Sequence, residues 1–230
     1  MQLSNSGGDP LNGDGRLQEQ VSQEFQVNGE ALEGGLSYVT GAFLFWENGN
    51  DVSVTQAVPE VLNSVTEGTT KIDNFTWALF GQATRDMTEW ASLTGGVRYT
   101  SDKKELGIIS RDPRADAPPT VDEANSKTFD AWTPMGSLAF TLPEDLMGDT
   151  PLDHLMGYFT YSRGFKGGGF NGVINPQVEE LLPFDPETLD MDELGFKTIG
   201  FDQRVTFNLA LFYGGYSDLQ VTGPRGRRRP

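Results

Sequence analysis

Residues 75–102 alternate between apolar and polar side chains, and this alternation constrains the fold more than any other feature of the chain. Leu93 and Tyr99 occupy odd positions in the second half of the stretch. Arg98 and Asp102 occupy even positions. Because side chains of a β-strand point alternately to its two faces, the stretch predicts strands with one apolar and one polar face. A soluble β-sandwich buries its apolar face in a core, whereas an outer-membrane β-barrel turns that face towards lipid.

The same alternation recurs along the chain and predicts eight strands. These lie at about 17–27, 36–46, 73–86, 90–103, 128–142, 155–165, 190–200 and 204–217. The predicted connections are brief at 28–35, 87–90 and 200–203, intermediate at 143–154, and long at 47–71, 104–127 and 166–189. A meander with brief turns at one rim and long loops at the other is typical of outer-membrane barrels. Pro134, inside the fifth strand, is unfavourable for a central strand.

Composition narrows the function classes without deciding between the two β folds. The 28 glycines among 230 residues and the 11% of aromatic residues favour strands and tight turns over helical bundles. No run of 18 apolar residues exists, which excludes a transmembrane helix. Barrel strands are only half apolar, so the mean hydropathy of -0.40 does not argue for a soluble protein. The net charge of -16 is unfavourable for nucleic-acid binding.

Motifs for catalysis and cofactor binding are missing from the sequence. His154 is the only histidine and cysteine is absent, which argues against a catalytic dyad, a thiolate nucleophile or a His/Cys metal site. The glycine-rich segment 164–169 lacks the Gly-Lys-Ser/Thr ending of a phosphate-binding loop and follows a strand of a meander. The chain is therefore predicted not to be an enzyme and to hold no cofactor or metal.

Charged residues on the predicted polar faces are the candidate ligand-binding set. They are Arg98, Asp102, Glu193, Lys197 and Arg204. A charge on the lipid face of a barrel strand would cost about 2–4 kcal/mol at the bilayer midplane. In a barrel these residues are therefore predicted to face the lumen, while in a soluble protein they would form an exposed polar face.

The opposite faces are predicted to form an exposed apolar band on the convex side of a curved, open antiparallel sheet. The band comprises Phe75, Trp77, Leu93, Val97, Val205, Phe207, Leu209 and Leu211. Aromatic residues near strand ends are expected to form interfacial girdles, namely Trp46, Trp90, Tyr99, Trp132, Tyr213 and Tyr216. Packing of the band against a second sheet would instead indicate a soluble protein.

Five segments resemble, in order, parts of the β-barrel of the TonB-dependent outer-membrane receptors. They are Ser22–Glu47, Leu79–Thr84 with Leu93–Thr100, Tyr161–Asn171, Phe184–Lys197 and Phe207–Val221. The fourth segment contains the Pro-Glu and Glu-Leu-Gly-Phe-Lys elements of that family. The resemblance covers about residues 17–221.

The resemblance implies an all-β fold, an antiparallel meander of about eight strands that is part of a large, 22-stranded transmembrane barrel. It implies a place in the outer membrane of a Gram-negative bacterium, in contact with lipid. The implied function is uptake of a scarce nutrient such as a ferric siderophore, powered by the TonB complex through a plug domain. Residues 1–16 are expected to be loop, 17–221 a partial barrel without plug or signal peptide, and 222–230 a tail foreign in composition.

Two alternatives stay open at this point. One is a complete eight-stranded outer-membrane barrel with a structural or adhesion role, against which the missing signal peptide and terminal aromatic residue count. The other is a soluble β-rich domain that binds or cleaves glycans, against which the alternation of connection lengths counts.

Overall fold

The computed structural model shows a nine-stranded antiparallel sheet and a separate two-stranded hairpin; it describes residues 2–5, 15–57, 64–171 and 181–221. The strands are β1 Gln2–Asn5, β2 Gly15–Ala31, β3 Leu36–Ala57, β4 Ser64–Thr88, β5 Ala91–Arg111, β6 Val121–Thr141, β7 Leu152–Lys166, β8 Gly169–Phe170, β9 Pro183–Phe184, β10 Glu187–Gly200 and β11 Val205–Ser217. A short helix, α1 (Glu144–Met147), precedes β7. In the described ranges, no helix is long and apolar enough to cross a membrane.

Strand order in the main sheet follows the order of the chain. The sheet runs β1-β2-β3-β4-β5-β6-β7-β10-β11, and β8 pairs only with β9. Each neighbouring pair is antiparallel, which is the arrangement of a meander. Within the described residues, β1 and β11 do not pair with each other, so these strands do not close into a small barrel.

The strands extend well beyond the ranges that the sequence pattern predicts. The segments 47–71 and 104–127, predicted as long connections, are mostly strand, and these two predictions are wrong. Asn50 still pairs with Lys71, and Ile109 with Asp122. Poor β-formers are retained in such a ladder because strand propensity depends strongly on the neighbouring strands.

The sequence predicts a loop at the start of the chain and a tail at its end. Residues 1–16, predicted as loop, include β1, which pairs with residues 19–22 of β2. The predicted tail, 222–230, lies outside the described residues.

Short turns gather at one rim of the sheet. Residues 32–35, 89–90 and 201–204 form these turns, and the connection with α1 lies at the same rim. At the opposite rim, β3 ends at Ala57 and β4 begins at Ser64, residues 112–120 join β5 to β6, and β7 ends at Lys166 before β10 begins at Glu187. The predicted alternation is therefore present, although two of the longer connections are much reduced. Leu32, Glu33 and Gly34 all have positive φ in the β2–β3 turn, and the φ of 91° at Gly34 is one that glycine adopts without steric cost.

Pro134 lies at the point where β7 separates from β6. Pairing between these strands covers only Met135–Thr141 on β6 and 156–162 on β7. β6 continues beyond Pro134 with β5 alone. A proline has no backbone N–H for a second ladder, so its place at the end of the β6–β7 pairing explains how a central strand accommodates it.

The apolar side chains share one face of the sheet and are exposed there. One row joins five strands through directly opposed residues: Leu93, Leu138, Phe159, Leu194 and Leu211. Leu93 is 48% exposed and Leu211 58%. We call this side the apolar face and the opposite side, which carries Arg98 and Asp102, the polar face. Across the described ranges no second sheet packs on the apolar face.

The predicted apolar band is confirmed at seven of its eight positions. The exposed members are Phe75, Leu93, Val97, Val205, Phe207, Leu209 and Leu211. Trp77 belongs to the same face but is half-buried, because its ring lies 5.4 Å from that of Tyr99. A soluble sandwich would bury these side chains, so their exposure is the reverse of the pattern expected for one.

Candidate ligand-binding surface on the polar face

Arg98 lies on the polar face of β5, held by two aromatic rings. Its guanidinium carbon is 5.3 Å from the centre of the Phe43 ring and 5.7 Å from that of Phe80. Its Nε donates a hydrogen bond to the Thr100 hydroxyl at 3.1 Å. In the part of the chain that the structure describes, Arg98 makes no ion pair. The guanidinium is thus oriented by cation–π contacts while donors remain for an anionic group.

Asp102 lies four residues further along the same face of β5 and is buried, with 9% of its surface exposed. The Thr76 hydroxyl donates a hydrogen bond to its Oδ1 at 2.8 Å, and Lys104 Nζ lies 3.5 Å from its Oδ2. Gly167 approaches so closely that an added Cβ would lie 2.2 Å from Asp102 Oδ2. Asp102 is therefore covered by the start of the β7–β10 connection and is not open to a ligand.

Glu193 and Lys197 meet at a third side chain, Tyr158. The Tyr158 hydroxyl donates a hydrogen bond to Glu193 Oε1 at 2.6 Å, and Lys197 Nζ lies 5.4 Å above the Tyr158 ring. Gly195 lies between them on β10, and its missing side chain makes room for the ring. Tyr158 thus links Glu193 and Lys197. The sequence predicts that both lie on this face, but it does not predict this contact between them.

Arg204 does not join this surface. It occupies the last position of the turn before β11, where its backbone N–H donates to the Phe201 carbonyl at 3.3 Å. The sequence pattern assigned Arg204 to the strand, but β11 begins at Val205. The sequence predicts that Arg204 faces the lumen from a strand, whereas the structure places it in the turn at the short rim.

Sequence reasoning also missed a polar network on β2, β3 and β4. Asn74 Nδ2 donates to Glu47 Oε2 at 2.7 Å, and Gln18 Nε2 donates to Glu47 Oε1. The buried Asn74 Oδ1 accepts no hydrogen bond from the described residues. Glu47 lies in the segment predicted as a long connection, so the pattern offered no reason to place it beside Asn74.

A second missed element is the β8–β9 hairpin, which covers the polar face at the rim with the longer connections. Leu181 packs with Leu106 and Ile108 to form a buried cluster, with Phe170 and Val121 against it. Asn125 Nδ2 also donates to the Leu181 carbonyl at 2.7 Å. The hairpin thus closes part of the face on which Arg98 lies.

The β5–β6 connection, at the rim covered by the hairpin, contains a local ion pair. In the β5–β6 connection, the Arg114 side chain and backbone N–H both donate to the Asp112 carboxylate, with distances of 2.9–3.1 Å. These hydrogen bonds lower the pKa of Asp112 and raise the pKa of Arg114. The connection therefore keeps both charges throughout the physiological pH range.

Aromatic residues cluster on the apolar face, but Trp46, Tyr99 and Trp132, predicted near strand ends, lie near the middle of their longer strands. Tyr99 contacts Trp77 and Trp132, with ring centres 5.4 Å and 4.9 Å apart. At the short rim Trp90 stacks on Phe140 at 6.0 Å. Tyr216 differs, because its pairing with Leu189 places it on the polar face.

These features match one protein family. The family described as "TonB dependent receptor-like, beta-barrel" matches residues 2–229. The chain belongs to this family. Members of the TonB-dependent receptor family are transporters, so the prediction that the chain is not an enzyme is confirmed, as is its recognition as part of such a barrel.

Solved structures with a similar fold include an uptake receptor and a peptide transporter. The chain is similar to the ferric yersiniabactin uptake receptor FyuA from Yersinia pestis, with a TM-score of 0.73 and 20% identity over 90% of this chain. It is also similar to the RagAB peptide transporter, with a TM-score of 0.52 and 9% identity over 86% of this chain. In both comparisons the chain spans 30% of the matched chain.

Proposed function

We propose that this TonB-dependent receptor segment forms part of the wall of an outer-membrane barrel that imports a scarce small-molecule nutrient, such as a ferric siderophore. Energy would reach the receptor from the TonB complex through a plug domain. The observation that carries this proposal is the distribution of side chains on the sheet. An exposed apolar row crosses five strands, while charged and aromatic side chains lie together on the opposite face.

The height of the apolar face supports a place in the outer membrane of a Gram-negative bacterium. The stretch from Ala91 to Tyr99 spans about 27 Å along a strand. With a strand tilt of about 40°, this corresponds to about 20 Å of height, close to the roughly 25 Å apolar band of outer-membrane barrels. Beyond Tyr99, Lys103 and Glu105 form an ion pair on the same side, which is suited to water rather than hydrocarbon.

The two alternatives are less well supported. The sheet is open between β1 and β11 in the described residues, unlike a complete eight-stranded barrel. The apolar face lacks a packed partner there, unlike the core of a soluble glycan-binding domain. Import through a larger barrel accounts for both observations.

Arg98 is the proposed ligand contact on the polar face. A guanidinium with free donors makes strong charge-assisted hydrogen bonds to carboxylates and similar anions. Phe43 and Phe80 present flat apolar surface beside it. We infer a ligand with an anionic group next to an apolar or aromatic portion, admitted from the rim that the β8–β9 hairpin covers.

Uptake of radiolabelled ferric siderophores by cells that carry the receptor tests this function. Arg98→Ala should lower uptake about tenfold, as expected when a charge-assisted hydrogen bond worth about 1.5 kcal/mol is lost. Arg204→Ala, in the turn at the short rim, should leave uptake unchanged. Equal uptake by all three receptors and by cells lacking the receptor would contradict the proposal.

A further inference from the structure

A groove of about 420 Å³ opens at the short-turn rim, between β6, β7, β10 and α1. Its main walls are the side chains of Trp90, Phe140, Leu142, Leu146, Leu155 and Phe196. No charged residue lines it. The volume is within the range of pockets that hold small ligands.

Gly157 forms the floor of this groove. It lies directly opposite Phe140 on one side and Phe196 on the other, so the row contains a gap between two aromatic rings. A Cβ at this position would lie 3.4 Å from the Phe196 ring, which is ordinary contact. Neither crowding nor a left-handed backbone requires glycine at this position. A larger side chain could therefore occupy the gap without backbone strain.

Backbone hydrogen bonds hold the walls in place. The Thr141 N–H donates to the Trp90 carbonyl at 2.8 Å, and the Leu142 N–H donates to the Leu155 carbonyl at 2.8 Å. Trp90 also stacks on Phe140 with an angle of 21° between the rings. The groove is therefore formed before any ligand arrives, which lowers the entropic cost of binding.

The surroundings of the groove define its occupant. The row of Phe140 and Phe196 continues to Leu209, so the groove is continuous with the apolar face. Tryptophan at such a border is typical of the region of lipid headgroups. Glu144 and Asp145 are exposed and stand in α1 between Pro143 and Leu146, which both line the groove. Two carboxylates disfavour an anionic headgroup and favour an ammonium group.

We propose that this groove binds one acyl chain of a phosphatidylethanolamine-type phospholipid, with the headgroup ammonium beside Glu144 and Asp145. This inference depends on the proposed position of the apolar face in the membrane. The gap at Gly157 admits the chain, and Leu146 covers it from α1.

Native mass spectrometry of the receptor extracted from outer membranes tests the site. The wild-type receptor should retain one phosphatidylethanolamine that Gly157→Leu loses, because the added side chain fills the gap. Gly95→Leu is the matched control: it adds the same side chain to the apolar face where nothing lies within 4 Å, outside the groove. That variant should retain the lipid.

A photo-crosslinking amino acid in place of Leu146 provides a second measurement, made on the receptor in which Gly157 is unchanged. It should crosslink to phosphatidylethanolamine several-fold more than the same amino acid at Leu93, on the apolar face outside the groove. Equal crosslinking at both positions, or retention of the lipid by Gly157→Leu, would overturn the lipid site while leaving the barrel function intact. No lipid crosslink at either position would instead overturn the proposed membrane position itself.

Discussion

Tyr158 is the residue that joins Glu193 and Lys197 into one unit on the polar face. Its ring occupies the space above Gly195, where an added Cβ would lie 2.2 Å from Tyr158 Cζ. Gly195→Ala must therefore displace the ring and weaken its hydrogen bond to Glu193. Overpacking of this kind costs about 1–3 kcal/mol. We expect a lower midpoint of urea unfolding, followed by tryptophan fluorescence.

The control for this substitution is Gly164→Ala on β7. A Cβ at Gly164 would meet Leu189 Cβ at 3.8 Å, an ordinary contact, on the same face of the sheet. The midpoint should shift by much less than for Gly195→Ala. Equal shifts would mean that strand glycines are general stability determinants here and that the Tyr158 contact has no special role.

Single-residue placement was largely predictable because the strand period is two. Once one residue of β5 is assigned to a face, Arg98 and Asp102 follow. The same holds for Glu193 and Lys197 on β10. The assignment of Arg204 to a strand was wrong because this residue adjoins a turn. Turn geometry sets the ends of strands, and the alternation does not encode it. The contacts of Tyr158 depend on residues of a neighbouring strand, so they too could not be predicted from the sequence.

At the scale of elements, the β8–β9 hairpin depends on Leu181. This side chain is 9% exposed, whereas its neighbour Leu182 is 64% exposed. Leu181→Ala should weaken hairpin docking by about 2 kcal/mol. Local hydrogen exchange at Phe170 and Phe184 should then become about thirtyfold faster. Mass spectrometry of exchanged peptides measures this change.

Leu182→Ala removes the same atoms one position along the hairpin and should leave exchange nearly unchanged. Equal acceleration by both substitutions would show that the hairpin is not held through the Leu106 and Ile108 cluster. Protection of Glu193 and Lys197 amides on β10 should be unaffected in either variant, since these residues lie in the paired part of the sheet.

Element type was easier to predict than element length. The strands around Leu93 and Phe207 alternate cleanly and were found where expected. Beyond the apolar face the alternation changes its sense, because Leu106 and Ile108 are buried on the polar face under the hairpin. A pattern search that expects apolar residues on one face throughout therefore ends the strand too early. The hairpin itself is recognisable only from its tertiary contacts.

At the scale of the whole molecule, the proposed barrel orientation predicts that the two faces of the sheet differ in their tolerance of charge. In hydrocarbon, a lysine near the bilayer midplane of the outer surface costs about 2–4 kcal/mol. On a water-exposed surface the same substitution changes stability by less than about 0.5 kcal/mol. Exposure of the apolar face shows that no second sheet covers it in the described residues, and a charge substitution tests whether lipid or water does.

Leu93→Lys and Ser92→Lys make this test with adjacent residues of β5. Leu93 belongs to the apolar row, two residues inside the Ala91 end of the apolar face, and Ser92 points to the polar face. If the apolar face contacts lipid, Leu93→Lys should lower the fraction of receptor that is folded in the outer membrane, whereas Ser92→Lys should fold like the wild type. Heat-modifiable mobility on gels measures that fraction. A water-facing apolar surface predicts no difference between the two lysines, so equal folding would exclude the barrel orientation from which the import function is argued.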